Sequence, residues 1–231
     1  MEIIIGSWRV AIEQVSPSVE ELSQKYSLAA PRWHQSIQRM GFIRAYQSIF
    51  SQLRDSCYSE QPAFELDVLD VGIGTGGLAQ ALIAEDPRPI HLTGIDISAE
   101  MLEETRSNLK AQVSSMDLQQ QDVQRLNLPD HQFDLVMGAH VLEHLDDIRP
   151  GLSEMARVAK PGATVLLVVT RRSLASAWLH LIWQIKMSNG QEVSDVFRQV
   201  GLEKVQLVRF QAPIWCNWMS IAIIGTKPAR L

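Results

Sequence analysis

The sequence predicts a doubly wound, Rossmann-like α/β fold: a mostly parallel seven-stranded sheet with an antiparallel edge strand, plus an N-terminal helical lid. Three observations carry this. From about residue 65, short apolar runs alternate with helical segments, the pattern of a parallel sheet wrapped by right-handed crossovers. The first run leads into a glycine-rich turn, "LDVGIGTGG" at 69–77. The last two runs have no helix between them, so they should pair antiparallel at the sheet edge. Residues 1–60 are expected to form the lid segment. Residues 61–231 are expected to form the main domain, with a cap insertion around 171–190.

The elements follow in order. Residues 1–16, with "EIIIGSWRVAI", read as a strand or hairpin without an assigned role. "SVEELSQKYSLAA" opens with Ser18 and Glu21 in capping-box spacing and predicts a helix. Pro31 suits the first turn of a second helix running to about Ser56, with Gly41 as a bend. "ELDVLDV", "PIHLTGID", "MDLQQQD", "QFDLVMGA" and "ATVLLVVT" read as the parallel strands, and "VQLVRF" and "WMSIAIIGTKP" as the final pair. Between them "GLAQALIAE", "SAEMLEETRSNLKAQ" capped by Ser98, "PGLSEMARVAK" and "QEVSDVFRQVG" ended by Gly201 read as helices.

Composition bounds the function. The 231 residues, 46% hydrophobic and 20% charged, suit one such domain with an appendage and need no disulfide or metal to fold. A net charge of -5 argues against an extended nucleic-acid surface, and Arg32, Arg39, Arg44 and Arg54 at helical spacing read as a solvated face. Cys57 and Cys216 form neither a CxxC motif nor a zinc cluster, so no metal is expected. "MEIIIGSWRV" lacks a basic start, and "LASAWLHLIWQIKM" is short of the ~20 residues of a membrane span. A cytoplasmic location without stable membrane insertion is therefore expected.

The glycine turn lies where a doubly wound sheet binds ligands, beyond the carboxyl end of a strand. Two readings fit it. Gly72, Gly74 and Gly77 satisfy G-x-G-x-x-G for a dinucleotide, with Asp96 placed for a ribose. Asp70, Gly72, Gly74 and Gly76 instead give an acid followed by G-x-G-x-G, the pattern for S-adenosylmethionine (SAM). An acid two residues before the first glycine opposes a pyrophosphate but favours an amino group and a sulfonium. The bland alternative for Asp70 is pairing with local N–H groups. Asp96 ends the second strand, where its two oxygens can accept from both ribose hydroxyls. Ile97 and Met101 offer apolar surface to a purine, unless Met101 is simply core. Asp122, with the Val123 backbone, is placed to accept from an adenine amino group, unless it only caps its loop.

In motif order and spacing, "VLDVGIGTGGLA", "LTGIDISAEML", "QQDVQRLNLPDHQFDLV", "HVLEHL" and "RVAKPGATVLLVV" resemble the class I SAM-dependent methyltransferases, particularly the small-molecule group of ubiquinone/menaquinone-type enzymes. The resemblance covers roughly residues 66–170, and Ala163 stands where that family more often has a glycine. It implies SAM as cofactor, with residues 72–76 at its methionine part, Asp96 at the ribose and Asp122 at the adenine.

A methyl group on a sulfonium needs an acceptor held in line and water excluded, and a base only if the acceptor must lose a proton. His140, directly after the fourth strand, is the candidate base and also a candidate cofactor contact. Glu143 and His144 follow it, with wall or packing roles as alternatives. The absence of N-P-P-Y, of a proline-linked cysteine and of a basic aromatic platform disfavours nucleic-acid substrates. Tyr26, Trp33, His34, His144 and Trp178 are candidate substrate residues, the last within an apolar stripe of Leu174, Leu181, Ile182 and Ile185. A small, largely apolar or aromatic acceptor is expected. Alternatives are a quinone or lipid-precursor acceptor, or a regulatory protein that holds the cofactor without turnover. The tryptophans could equally form the contact of a homodimer.

Overall fold

The computed structural model describes residues 2–5, 8–11, 18–56, 65–173, 176 and 186–229. The apolar stripe of the expected cap, including Trp178, and Cys57 lie outside the described residues. The ambiguous N-terminal stretch forms a hairpin, β1 (Glu2–Ile5) against β2 (Trp8–Ala11).

Two helices precede the sheet. Helix α1 (Val19–Arg39) starts at the predicted capping box, in which the Glu21 N–H donates to Ser18 Oγ and the Ser18 N–H to Glu21 Oε2. It does not stop at Pro31, which lies inside it. The hydrogen bond lost to proline is offset by docking of this stretch on Ile97 and Ser98. Ala30 is buried, Ser23 Oγ donates to the Ile97 carbonyl, and Ser27 Oγ bonds Ser98 Oγ at 3.0 Å. The break falls at Gly41 instead, where φ is +74° and a Cβ would lie 3.1 Å from the Pro213 ring. Helix α2 (Phe42–Ser56) follows.

The sheet is built from β3 (Leu66–Val71), β4 (Ile90–Asp96), β5 (Ser115–Gln120), β6 (Phe133–Ala139), β7 (Ala159–Thr170), β8 (Glu203–Val208) and β9 (Ser220–Thr226). Its order is β5-β4-β3-β6-β7-β9-β8. The pairs from β5 through β7 are parallel, and β9 runs antiparallel to both β7 and β8. The expected antiparallel pair thus closes one edge, with the reversed strand β9 one place in and β8 outermost. The crossover helices are α3 (Gly77–Glu85), α4 (Ala99–Leu109), α5 (Arg149–Val158) and α6 (Gly190–Gln199), and a short α7 (Cys216–Met219) leads into β9.

Side-chain alternation divides the core between the two faces of the sheet. Val68, Leu135, Met137, Leu166 and Ile224 face α2 and α3, while Leu69, Val136, Val165, Leu167 and Ile223 face α5 and α6. Each such buried side chain contributes about 1.5–3 kcal/mol. Strand order reverses between β3 and β6, which start crossovers in opposite directions, and this is where a crevice opens beyond the strand ends.

Candidate active site

The turn after β3 is clamped from α4 and β4. Asp96 Oδ2 accepts from the Gly74 N–H at 2.8 Å, Thr105 Oγ1 donates to the Gly74 carbonyl at 2.6 Å, and Asn108 Nδ2 donates to the Thr75 carbonyl at 3.0 Å. Gly72, Gly74 and Gly76 all have positive φ, from 55° to 84°. Their side-chain positions differ. At Gly74 a Cβ would meet nothing nearer than 4.0 Å and would stand in the crevice. At Gly72 it would strike Val141 at 2.5 Å.

Two cavities meet at this turn. The larger, about 380 Å³, is bounded by Tyr26, Leu28, Arg32, Trp33, Met40, Phe42 and Tyr46 from α1 and α2, and by Asp70, Gly72, Gly74, His140, Glu143 and Thr170 from the strand ends. The smaller, about 120 Å³, is bounded by Asp96, Ile97, Met101, Gln121, Asp122, Val123 and His144. Tyr26, Trp33, Gly72, Gly74 and His140 belong to both walls.

Most of the predicted residues converge here, with two corrections. Gly76 borders neither cavity. It is the left-handed N-cap of α3, and a Cβ there would lie 2.8 Å from Leu109, so its glycine serves packing against α4. His34 also borders neither cavity; its Nδ1 bonds Thr75 Oγ1 at 3.3 Å and ties α1 to the glycine turn. Asp96 already spends one lone pair of each oxygen on the chain, since Oδ1 accepts from the Ser98 N–H at 2.9 Å and Oδ2 from the Gly74 N–H. One remaining lone pair on each oxygen can still face the smaller cavity. Asp122 Oδ1 caps its turn by accepting from the Gln124 N–H, as the bland alternative held, while the residue also borders the smaller cavity. Met101 is at once core and cavity wall.

Asp70 is the electrostatic anomaly. It is 1% exposed, and neither carboxylate oxygen has a hydrogen-bond partner; the Ala79 N–H approaches without meeting hydrogen-bond geometry. Burial, with the Asp96 charge adding to it, pushes its carboxyl well above the usual range, and the Ala79 N–H offsets part of this. A cationic ligand in the larger cavity would relieve that cost. Burial likewise raises Asp96, against the opposing N–H groups of Ser98, Gly74 and Ile97.

The segment after β6 forms a directed network. His140 has left-handed backbone, φ 58°, fixed by its N–H to the Val168 carbonyl. Glu143, 2% exposed, accepts from the Thr170 N–H at 2.6 Å and from Thr170 Oγ1 at 2.9 Å. Because the Thr170 hydroxyl proton is given to Glu143, Thr170 Oγ1 accepts from His140 Nδ1 at 3.1 Å. The Nδ1-protonated tautomer follows, leaving the buried Nε2 as an acceptor without a protein partner. Burial opposes the Glu143 charge, but the His140 ring and the Thr170 N–H outweigh it and hold its carboxyl below the usual range. His144 bonds the Tyr26 hydroxyl at 2.7 Å, and burial lowers its pKa despite Glu143. Trp33 and His144 both meet Tyr26 edge-to-face, so one aromatic row divides the cavities.

Phe42, Tyr46, Gln121 and Thr170 border the cavities but were not legible as site residues. Only Thr170, at the carboxyl end of a strand, carried a usable signal. Among the described residues no cluster of His, Cys, Asp or Glu could hold a metal, and no helix is long and apolar enough to cross a membrane.

The fold and its crevice resemble those of the class I SAM-dependent methyltransferases. Residues 69–167 match the family model described as a methyltransferase domain. The chain is 36% identical over 116 residues to a demethylmenaquinone methyltransferase of Porphyromonas gingivalis, covering 48% of this chain and 46% of that protein. It is 28% identical over 148 residues to the O-methyltransferase resE of Aspergillus sclerotiorum, covering 60% and 55%. The chain spans about half the length of the curated relatives it matches. In fold it is similar to the CurJ carbon methyltransferase (TM-score 0.68, 16% identity, 79% of this chain and 54% of that one). It is also similar to the [4+2]-cyclase SpnF (TM-score 0.66, 17% identity, 92% and 98%).

Proposed function

We propose that the protein transfers the methyl group of SAM to a small, largely apolar or aromatic acceptor by in-line displacement. The observation that carries this reading is the junction of the two cavities: an unpartnered buried carboxylate, Asp70, and an open glycine cradle, Gly74, lie between a compartment bearing Asp96 and Asp122 and a larger one walled by aromatic side chains. Bound there, SAM supplies an activated methyl group on a cationic sulfur.

The remaining roles belong to the chain. Asp70 offers negative charge to the amino-acid end, Asp96 and Asp122 accept from the nucleoside, and Met101, Ile97 and Val123 cover its base. Tyr26 and Trp33, on α1, exclude water from the junction and orient the acceptor in the larger cavity. Positioning of this kind supplies ~7–11 kcal/mol of a displacement barrier. His140 takes a proton at Nε2 where the acceptor must lose one, and Glu143, acting through Thr170, stabilises the charge that forms on the ring. The demethylmenaquinone and UbiE relatives favour an aromatic quinol-type acceptor.

Calorimetric titration with SAM, S-adenosylhomocysteine and NADH tests the cofactor. Micromolar binding of the first two, without NADH, is expected; NADH binding alone would overturn the reading. With an accepted substrate, His140→Ala should lower kcat about 10²–10⁴-fold and leave SAM affinity within about threefold, since Nε2 assists the acceptor and not the cofactor.

A further inference from the structure

The face around the mouth of the larger cavity carries a pairing anomaly. Helix α1 from Tyr26 through its junction with α2 lines this mouth, and residues 209–219 before β9, joined to residues 171–173 after β7, pack on that junction. Gly41 packs on Pro213, Phe42 lies 5.7 Å from Trp215, Ser173 Oγ donates to the Trp218 carbonyl, and Arg171 donates to the Asn217 carbonyl at 3.1 Å. In a chain with 26 acidic residues and a net charge of -5, residues 22–54, 171–191 and 204–231 contain neither aspartate nor glutamate. Six exposed arginines stand on these segments instead: Arg32 borders the cavity, Arg39 and Arg44 border a neighbouring groove at the α1–α2 junction, and Arg171, Arg172 and Arg209 lie on the segments that pack there. None has a carboxylate within ion-pair distance among the described residues, whereas Arg88, Arg106, Arg149, Arg157 and Arg198 elsewhere each hold one.

Apolar side chains stand among these charges. Leu28 is 87% exposed, Ile214 70%, Trp218 66% and Met40 41%, and Leu28 and Met40 also line the cavity. Unpaired cations interleaved with exposed large apolar groups match a surface that is anionic at its headgroups and apolar just beneath. We infer that this face docks the protein on an anionic lipid bilayer, with the cavity mouth toward the membrane. The inference rests on the apolar acceptor proposed above, because such a compound partitions into lipid and would reach the cavity without crossing water. Docking is peripheral, since no described helix can span the bilayer.

The test is co-sedimentation of the full chain with sucrose-loaded vesicles of phosphatidylcholine, with and without phosphatidylglycerol, in the absence of cofactor. Binding to the anionic vesicles only is expected, falling as the Debye length shrinks from ~10 Å at 0.1 M to ~3 Å at 1 M salt. Arg39→Gln, Arg44→Gln and Arg172→Gln should each weaken partitioning about fivefold. Trp218→Ala should weaken it as well, and Lys110→Gln, at the end of α4, should not. Failure to bind either vesicle overturns the inference, as does binding that ignores the arginine variants. Concentration-dependent dimerisation abolished by Trp218→Ala would assign the face to a second copy of the chain and overturn it equally. Because no arm uses SAM or turnover, a failure here leaves the cofactor titration to judge the methyl-transfer reading by itself.

Discussion

Asp70→Asn should make the protein more stable and a worse binder at the same time. The native carboxylate is 1% exposed with both oxygens unpartnered, and its pKa is driven upward by burial and by Asp96. A buried polar group left unpaired costs about 1–3 kcal/mol, more when charged. Asparagine keeps the shape and removes the charge but leaves its amide unpaired, so only the charged part of the cost is recovered and the cofactor-free variant should melt about 2–4 °C higher, at ~2–4 °C per kcal/mol. A group whose folded-state pKa is raised contributes its stability below the ordinary carboxylate range and loses it as pH rises through the raised value. The gap between variant and native protein should therefore widen with increasing pH. SAM affinity should move the other way, falling about ten- to a hundredfold as a charged partner is lost. Paired thermal melts across pH, with and without SAM, read both effects. A variant that melts no higher than the native protein, or a gap that does not grow with pH, would refute the assignment of Asp70 as an uncompensated charge.

The other predictions separate the glycines and test the network after β6. Gly74→Ala places a methyl group in the crevice at left-handed backbone, so SAM affinity should drop at least tenfold in calorimetry while stability falls by about 1–3 kcal/mol. Gly76→Ala touches no cavity but adds a clash with Leu109, so it should cost about 2–5 kcal/mol in denaturant unfolding, with SAM affinity in the folded fraction near native. Glu143→Gln removes a carboxylate whose pKa is depressed in the fold. The stability it contributes is present above the ordinary carboxylate range and lost as pH falls through the depressed value, so the variant's melting temperature should depend less on pH on the acid side.

The sheet was legible because its signals are local and periodic. β3, α3 and β4 begin and end within a residue of the apolar runs, and Ser98 and Ser18 cap the helices that their spacing indicated. Misreadings arose where a local rule met tertiary packing. Pro31 is a sound helix start in isolation, but the bonds of Ser23 and Ser27 to Ile97 and Ser98 and the burial of Ala30 carry the helix through it, and Gly41 takes the break. Gly76 satisfies a cofactor pattern by position, yet that pattern cannot report which way an absent Cβ would point. His34 has the chemistry of a site residue and spends it on Thr75. Tyr46 and Phe42 were hidden for the opposite reason, since an amphipathic stripe does not distinguish a side chain facing core from one facing a cavity.

The family match ends at residue 167, and the acceptor side lies largely beyond it. Asp70, Gly74, Asp96, Asp122 and His140 all fall within 69–167, on elements whose geometry the sheet fixes. Tyr26, Trp33, Phe42, Tyr46 and Thr170, which wall the larger cavity, fall outside it. A cofactor of one fixed shape holds its residues to one spacing, whereas acceptors differ, and the relatives' names span carbon, oxygen and nitrogen methylation. The [4+2]-cyclase of similar fold shows that this scaffold can host other chemistry, so the reaction must be argued from the side chains at the cavity junction. Here those side chains are a histidine with its acceptor nitrogen unpartnered, a buried carboxylate behind it, and an aromatic row between the two cavities. In the methyl transfer proposed above, that combination would serve an acceptor that must surrender a proton as the methyl arrives, whereas a protein that only stored the cofactor would have no use for it.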